Sequence, residues 1–204
     1  MSRGLIFDLD GTLVDSQLDF GAMRREMQID PCHDDLPILE AIDQLSPSHA
    51  AHCHQVLARH ETEGARRAVP FPGVVDFLVE LSGRDIRLAI VTRNCRSIAH
   101  QTLEKLPAKF NPVVTRESGP IKPDPWAVHH VCASWRLPPS QVAMIGDYRF
   151  DIECGKNAGA FTAFYSGGIP EHEVQADDRA GADVVISCFR RPEALWRWIE
   201  SPIA

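Results

Sequence analysis

The sequence predicts an α/β fold, a parallel sheet with an all-helical segment inserted after the first strand, and three observations predict it. Short apolar runs recur along the chain with helical stretches between them, which is the pattern of parallel strands joined by crossover helices. Two of those runs end in aspartate, at the strand ends where an open α/β sheet binds its ligands. Residues 16–70 break the rhythm and contain no strand-like run.

Taken in order, strands are expected at Gly4–Leu9, Arg87–Thr92, Pro112–Val114, Gln141–Gly146, Phe161–Phe164 and Asp183–Ile186. Helices are expected at Val74–Ser82, Ser97–Leu106, Pro125–Trp135, Asp151–Ala158 and Pro192–Ile199. Asp124-Pro125 reads as an N-cap followed by proline at the first helical position, and Gly159 as a helix stop. Within 16–70, Phe20, Met23 and Met27 form one apolar stripe, and Ile38, Leu39, Ile42 and Leu45 form another. A third helix starts at Ser46-Pro47, with Cys53, Val56 and Leu57 facing inward. The expected division is therefore a catalytic core of residues 1–15 and 71–204 and a short cap of residues 16–70 that partly covers the strand ends.

At 204 residues the chain is long enough for one full core and a small second unit. A net charge of −7 argues against nucleic acid or an anionic membrane surface as partner, because both call for a basic face. No apolar run reaches the roughly 18 residues a membrane span needs. A strand begins within the first residues, leaving no room for a signal peptide, and six scattered cysteines without a C-x-x-C pair fit reduced thiols. A cytoplasmic location is expected on both grounds; oligomeric state is unreadable. His49, His52, His54 and His60 cluster in the insert, but no Cys or carboxylate completes a metal set, so they read as a solvated helix face. Cys95 reads as a passive small residue.

Four places carry chemistry. The first is LIFDLDGTLV, Leu5 to Val14, where an apolar strand runs into Asp8, Asp10, Gly11 and Thr12. Aspartate is a poor strand former, and a charge at a buried strand end is costly unless something uses it. Asp10-Gly11 as simple turn chemistry is the plainer alternative. The second is IVTRN, where a strand ends in Thr92 followed by Arg93 and Asn94, a hydroxyl and backbone N–H groups suited to phosphoryl oxygens. The third is Lys122, between Pro120 and Pro123 on a stiff loop before a helix. The fourth is MIGDYRFD, where Asp147 ends a strand and Asp151 lies four residues on; two further oxygen ligands suit a hard cation such as Mg2+. A dipole-favoured acid at a helix start explains Asp151 but not Asp147.

Charge ties the four together. A phosphate monoester carries about −1.5 to −2 charges. A carboxylate about 4 Å away is repelled by roughly 4 kcal/mol per charge at an effective dielectric near 20. Attack by Asp8 therefore needs Mg2+ on Asp8, Asp147 and Asp151, with Lys122 on the phosphate or on Asp8.

DLDGT, a strand-end threonine, a Lys-Pro loop and GD-x-x-x-D, in that order, resemble the haloacid dehalogenase superfamily, nearest to its phosphoglycolate phosphatase-like branch. The resemblance implies a Rossmann-like core with a helical cap and a Mg2+-dependent phosphatase acting on a small phosphorylated metabolite. It implies Asp8 as nucleophile, forming an aspartyl-phosphate, and Asp10 as general acid and then base. It places Mg2+ on Asp8, the Asp10 carbonyl, Asp147 and Asp151, Thr92 on the phosphoryl group and Lys122 on the charge, with Gly11 and Thr12 in the following turn. Dehalogenases of the superfamily typically lack the acid at the Asp10 position, so the namesake reaction is not expected. Two positions depart from the branch: Arg93 stands where Asn commonly follows the threonine, and Tyr148 where a small residue is common. Arg93 either clamps a second anionic group or faces solvent, and Arg24 is the candidate substrate contact from the insert. A phosphomutase and a lapsed binding module are the alternative readings.

Overall fold

The apolar runs assemble into one six-stranded parallel sheet in a computed structural model that describes residues 3–33, 35–177 and 179–202. Its strands are β1 (Arg3–Phe7), β4 (Ile86–Val91), β5 (Val113–Val114), β6 (Val142–Gly146), β7 (Phe161–Tyr165) and β8 (Val184–Ile186). A two-stranded antiparallel pair is formed by β2 (Val14–Asp15) and β3 (Val69–Pro70). The helices are α1 (Phe20–Met27), α2 (Ile38–Asp43), α3 (Pro47–Arg67), α4 (Val74–Ser82), α5 (Arg96–Leu103), α6 (Trp126–Trp135), α7 (Arg149–Ala158) and α8 (Glu193–Glu200).

The sheet order is β5-β4-β1-β6-β7-β8. The chain lays β4 and β5 on one side of β1 and then returns to lay β6, β7 and β8 on the other. The order therefore reverses around β1, and the carboxyl ends of β1, β4 and β6 lie side by side at the switch point. β1 is buried on both faces, which is why it reads as an unbroken apolar run rather than an alternation. Ile6 packs with Met144, Val131 and Trp135 on one face. On the other, the Phe7 ring meets Phe77 and Phe110 edge-on, each with centroids 6.4 Å apart.

Element ends differ from the sequence reading by one to three residues, with two informative cases. β1 stops at Phe7, so Asp8 leaves the sheet rather than ending inside it. α6 begins at Trp126, one residue later than read, while the Asp124 side chain still accepts from the Trp126 N–H at 2.8 Å. Gly159 ends α7 in the left-handed conformation, as its composition suggested.

Two compact units emerge: Met1–Asp15 with Val69–Ala204, and Ser16–Ala68. Val69 and Pro70, assigned to the insert from sequence, pair with Val14–Asp15 and so belong to the sheet-bearing unit. The second unit is three helices around Met23, Met27, Ile42, Cys53, Val56 and Leu57. Phe20 departs from the expected stripe: it sits in the first turn of α1 and is exposed, and Leu18 packs on the cluster from that end. The histidines of α3 separate into two kinds. His52 and His54 are exposed, whereas His49 meets the Met27 carbonyl at 2.6 Å and His60 meets Glu26 at 2.9 Å. The six cysteines are free thiols, and no described helix is long and apolar enough to cross a membrane.

Candidate active site

Asp8 emerges from β1 with its N–H donated to the Ile145 carbonyl at 2.9 Å, which ties the chain turn to β6. The following loop closes on itself through Leu13 N–H to Leu9 carbonyl and Gly11 N–H to Val14 carbonyl, both 2.9 Å. Gly11 has φ +86°, and a Cβ there would run into the Asp147 carboxylate, so both backbone conformation and space call for glycine. Gly146 serves the same end from β6: a side chain there would overlap Asp151.

Lys122 is the hub. Buried to 3% exposure, it donates to Asp8 Oδ1 at 2.7 Å, Asp151 Oδ1 at 2.5 Å and the Val91 carbonyl at 2.8 Å. An ammonium has three N–H donors, and all three are used. The choice left open by the sequence, phosphate or Asp8, is thus filled in this state by the carboxylates. Asp151 also accepts from the Tyr148 N–H at 3.0 Å, so it caps α7 while pairing with Lys122. Thr12, fully buried, donates to Asp147 at 2.6 Å.

Asp8, Asp147 and Asp151 offer oxygens that all lie within 4.8 Å of one another. Three carboxylates against one ammonium leave the cluster short of positive charge. Although part of Asp147 still reaches solvent, burial and then the Asp8 and Asp151 charges push its carboxyl up to about 8. Burial raises Asp151 to about 6 against the pull of Lys122. Burial alone would lower the Lys122 ammonium, but Asp151 and Asp8 outweigh it and hold it above its usual value. Closely set, under-neutralised oxygens are the donor set of a hard divalent cation. Asp8, Asp147 and Asp151 fit one.

Beside this cluster stands a second set. Thr92 follows β4, its N–H on the Val114 carbonyl at 3.0 Å and its hydroxyl oxygen accepting from the Asn94 N–H at 3.2 Å. The Asn94 side chain donates to the Asp10 carboxylate. Arg93 lies with its guanidinium carbon 5.1 Å from the Phe150 ring centre, a cation–π contact. In the helical unit, Arg24 donates to the Leu36 and His33 carbonyls. The structure thus bonds Lys122 to Asp8 and Asp151, sets the Thr12-bonded Asp147 within 4.8 Å of both acids, and bonds Thr92, Asn94 and Asp10 into a second set.

A cleft of about 510 Å3 opens at Gly11 and Asp147, lined also by Tyr148, Tyr165, Ser166 and Ile169. The β7 residues of this lining were not singled out from sequence. Their signal was available, since Ser166-Gly167 follows β7 as Asp147 follows β6.

The description haloacid dehalogenase-like hydrolase matches residues 5–165. A haloacid dehalogenase-like hydrolase domain-containing protein of Arabidopsis thaliana is 34% identical over 78% of this chain and 69% of its own length. An N-acetylmuramic acid 6-phosphate phosphatase of Pseudomonas putida is 26% identical over 98% of this chain and 97% of its own. The solved structure of a hydrolase from Pseudomonas syringae superposes with a TM-score of 0.75 at 22% identity, covering 92% of this chain and 94% of that one.

Proposed function

The chain belongs to the haloacid dehalogenase-like hydrolases, and from that premise we propose that it is a Mg2+-dependent phosphatase of a small phosphate monoester, working through an aspartyl-phosphate on Asp8. The relatives named for phosphatase activity support the substrate class. The observation that carries the reading is the Lys122 bridge from Asp8 to Asp151, with Asp147 in ligand reach, at the strand ends of the switch point.

Asp8 holds one oxygen against Lys122 and attacks phosphorus with the other. The bond from phosphorus to the ester oxygen breaks, its electron pair stays on that oxygen, and Asp10 supplies the proton that releases the alcohol. Asp10, now ionised, takes a proton from water as the water oxygen bonds to phosphorus. The phosphorus bond to Asp8 breaks and the carboxylate is restored. Thr92 has its oxygen occupied by the Asn94 N–H, which leaves its O–H to donate to a phosphoryl oxygen. Mg2+, held by Asp8, Asp147, Asp151 and the Asp10 carbonyl, would supply the positive charge that lets an anionic nucleophile approach an anionic ester. Thr12 steadies Asp147 for that duty.

Phosphate release across a panel of small phosphate esters, with and without Mg2+, tests the proposal, with Asp8→Asn as the blank. Release that needs both Mg2+ and Asp8 is expected. Equal turnover by Asp8→Asn would remove the nucleophile, transfer between positions of one sugar would indicate a mutase, and no release from any ester would leave a binding module.

A further inference from the structure

The cleft beside Asp147 has more room, and a less polar rim, than a phosphoryl group alone calls for. Its volume of about 510 Å3 falls within the range of small-molecule pockets, about 300–1,000 Å3. It shares Asp147 with the three-acid cluster, so an ester whose phosphoryl group sits at Asp8 has this space beside it.

Two apolar side chains, Tyr148 and Ile169, line the cleft while each stays 51% exposed. Both are held in place. The Tyr148 ring meets Phe150 edge-on with centroids 5.1 Å apart, and its backbone N–H is used by Asp151. Ile169 sits on a turn closed from both sides: its N–H donates to the Ser166 carbonyl at 3.2 Å, and its carbonyl accepts from the Ser166 hydroxyl. Tyr165 adds a buried ring to the wall, braced by Phe71 and Phe189 with centroids 5.4 and 4.8 Å away. A single exposed apolar residue is ordinary on a surface. Two fixed on one cleft, next to reacting carboxylates, form the kind of wall that a ligand's apolar body covers. Charge narrows the choice further. Glu173 and Asp177 also line the cleft, and its one lining cation, Arg149, is already paired with Glu153 at 3.1 Å. A second negative group on the substrate would meet acids there rather than a counter-ion.

We propose that this cleft selects the substrate: it takes the alcohol part of the ester, and fits an alcohol with a planar or apolar body and no second negative group. Tyr148 and Ile169 are its specificity-determining residues. This deepens the phosphatase reading and rests on it, with the phosphoryl group at Asp8. A two-carbon acid such as glycolate would leave most of the cleft empty and add a charge that the lining does not match. The proposal also gives a role to Tyr148, which stands where the branch commonly has a small residue.

The test is kcat/KM with Mg2+ on methyl phosphate, 2-phosphoglycolate and 2-naphthylmethyl phosphate, for wild type, Tyr148→Ser and Ile169→Ser. Wild type should prefer the naphthylmethyl ester by about 100-fold over either small ester. Each substitution should cut that preference about 10-fold, and through KM, because the contact is made equally in the ground and transition states. Both side chains are half exposed and lie on different loops, so a folding defect common to the two variants is not expected. Equal kcat/KM on the three esters, a preference for 2-phosphoglycolate, or a naphthylmethyl preference that survives both substitutions would overturn the proposal while leaving the phosphatase intact. No Mg2+-dependent release by wild type from any ester would count against the underlying reading, and the proposal would fall with it.

Discussion

The two units of this chain differ in how they gather buried charge: the helical unit holds a single buried acid among its described residues, the sheet-bearing unit a cluster. The helical unit packs an apolar cluster, buries the acid Glu61 on α3, and leaves Arg59, His60 and Glu26 paired at the surface. The sheet-bearing unit packs its sheet with Leu5, Ile6 and Phe7 and then, beside Asp8 at the strand ends, buries an ammonium and a carboxylate, Lys122 and Asp151. Burying charge is destabilising unless every group is paired and bonded. The strand ends gather three acids beside one ammonium, a cost that stability alone does not explain.

Substitutions in either unit test that difference. Lys122→Met should abolish phosphate release and cost about 3–5 kcal/mol in denaturant unfolding, because Asp151 is left buried without its counter-charge. Leu57→Ala in the helical unit should cost about 2–5 kcal/mol by leaving a cavity beside Met23 and Ile42. The pH dependence is smaller and has a definite sign. Asp147 and Asp151 hold protons in the folded, metal-free protein that they lose in the unfolded chain. Metal-free stability should therefore fall as pH rises from about 4 toward about 8, by at most about 1.4 kcal/mol per pH unit for each group. Mg2+ should reverse the trend, raising the melting temperature more at pH 8 than at pH 5, and a metal effect independent of pH would contradict the ligand assignment. Glu26→Gln stands last: it removes an exposed pair and should leave the melting temperature unchanged.

How much of this was legible depended on sequence distance. Asp8, Asp10 and Asp147 were readable because each follows the end of an apolar strand, a local signal, and Asp151 by its spacing of four from Asp147. The parallel sheet was readable because alternating strand and helix periodicities allow few topologies. The bonds that organise the site were not readable, since Thr12 and Asp147 lie 135 residues apart and Asn94 and Asp10 lie 84 apart. A carboxamide in IVTRN looks equally fit for a phosphate or for a carboxyl; only the fold selects between them. The β2–β3 pair escaped for another reason, because two residues per strand carry no period. The sequence places Lys122 on a stiff loop, and only the acids Asp8 and Asp151 beside it show why it is buried.

The account's central claim is that Asp8 becomes phosphorylated while Asp10 moves the protons. Asp10→Asn should let the first half-reaction run on a good leaving group and stall the second. The most direct measurement is acid-quenched mass spectrometry of Asp10→Asn with Mg2+ and 2,4-dinitrophenyl phosphate, followed by peptide mapping. A phosphoryl adduct on Asp8, absent from Asp8→Asn, is the predicted result. Dinitrophenol release in a single turnover with no adduct on Asp8 would contradict it.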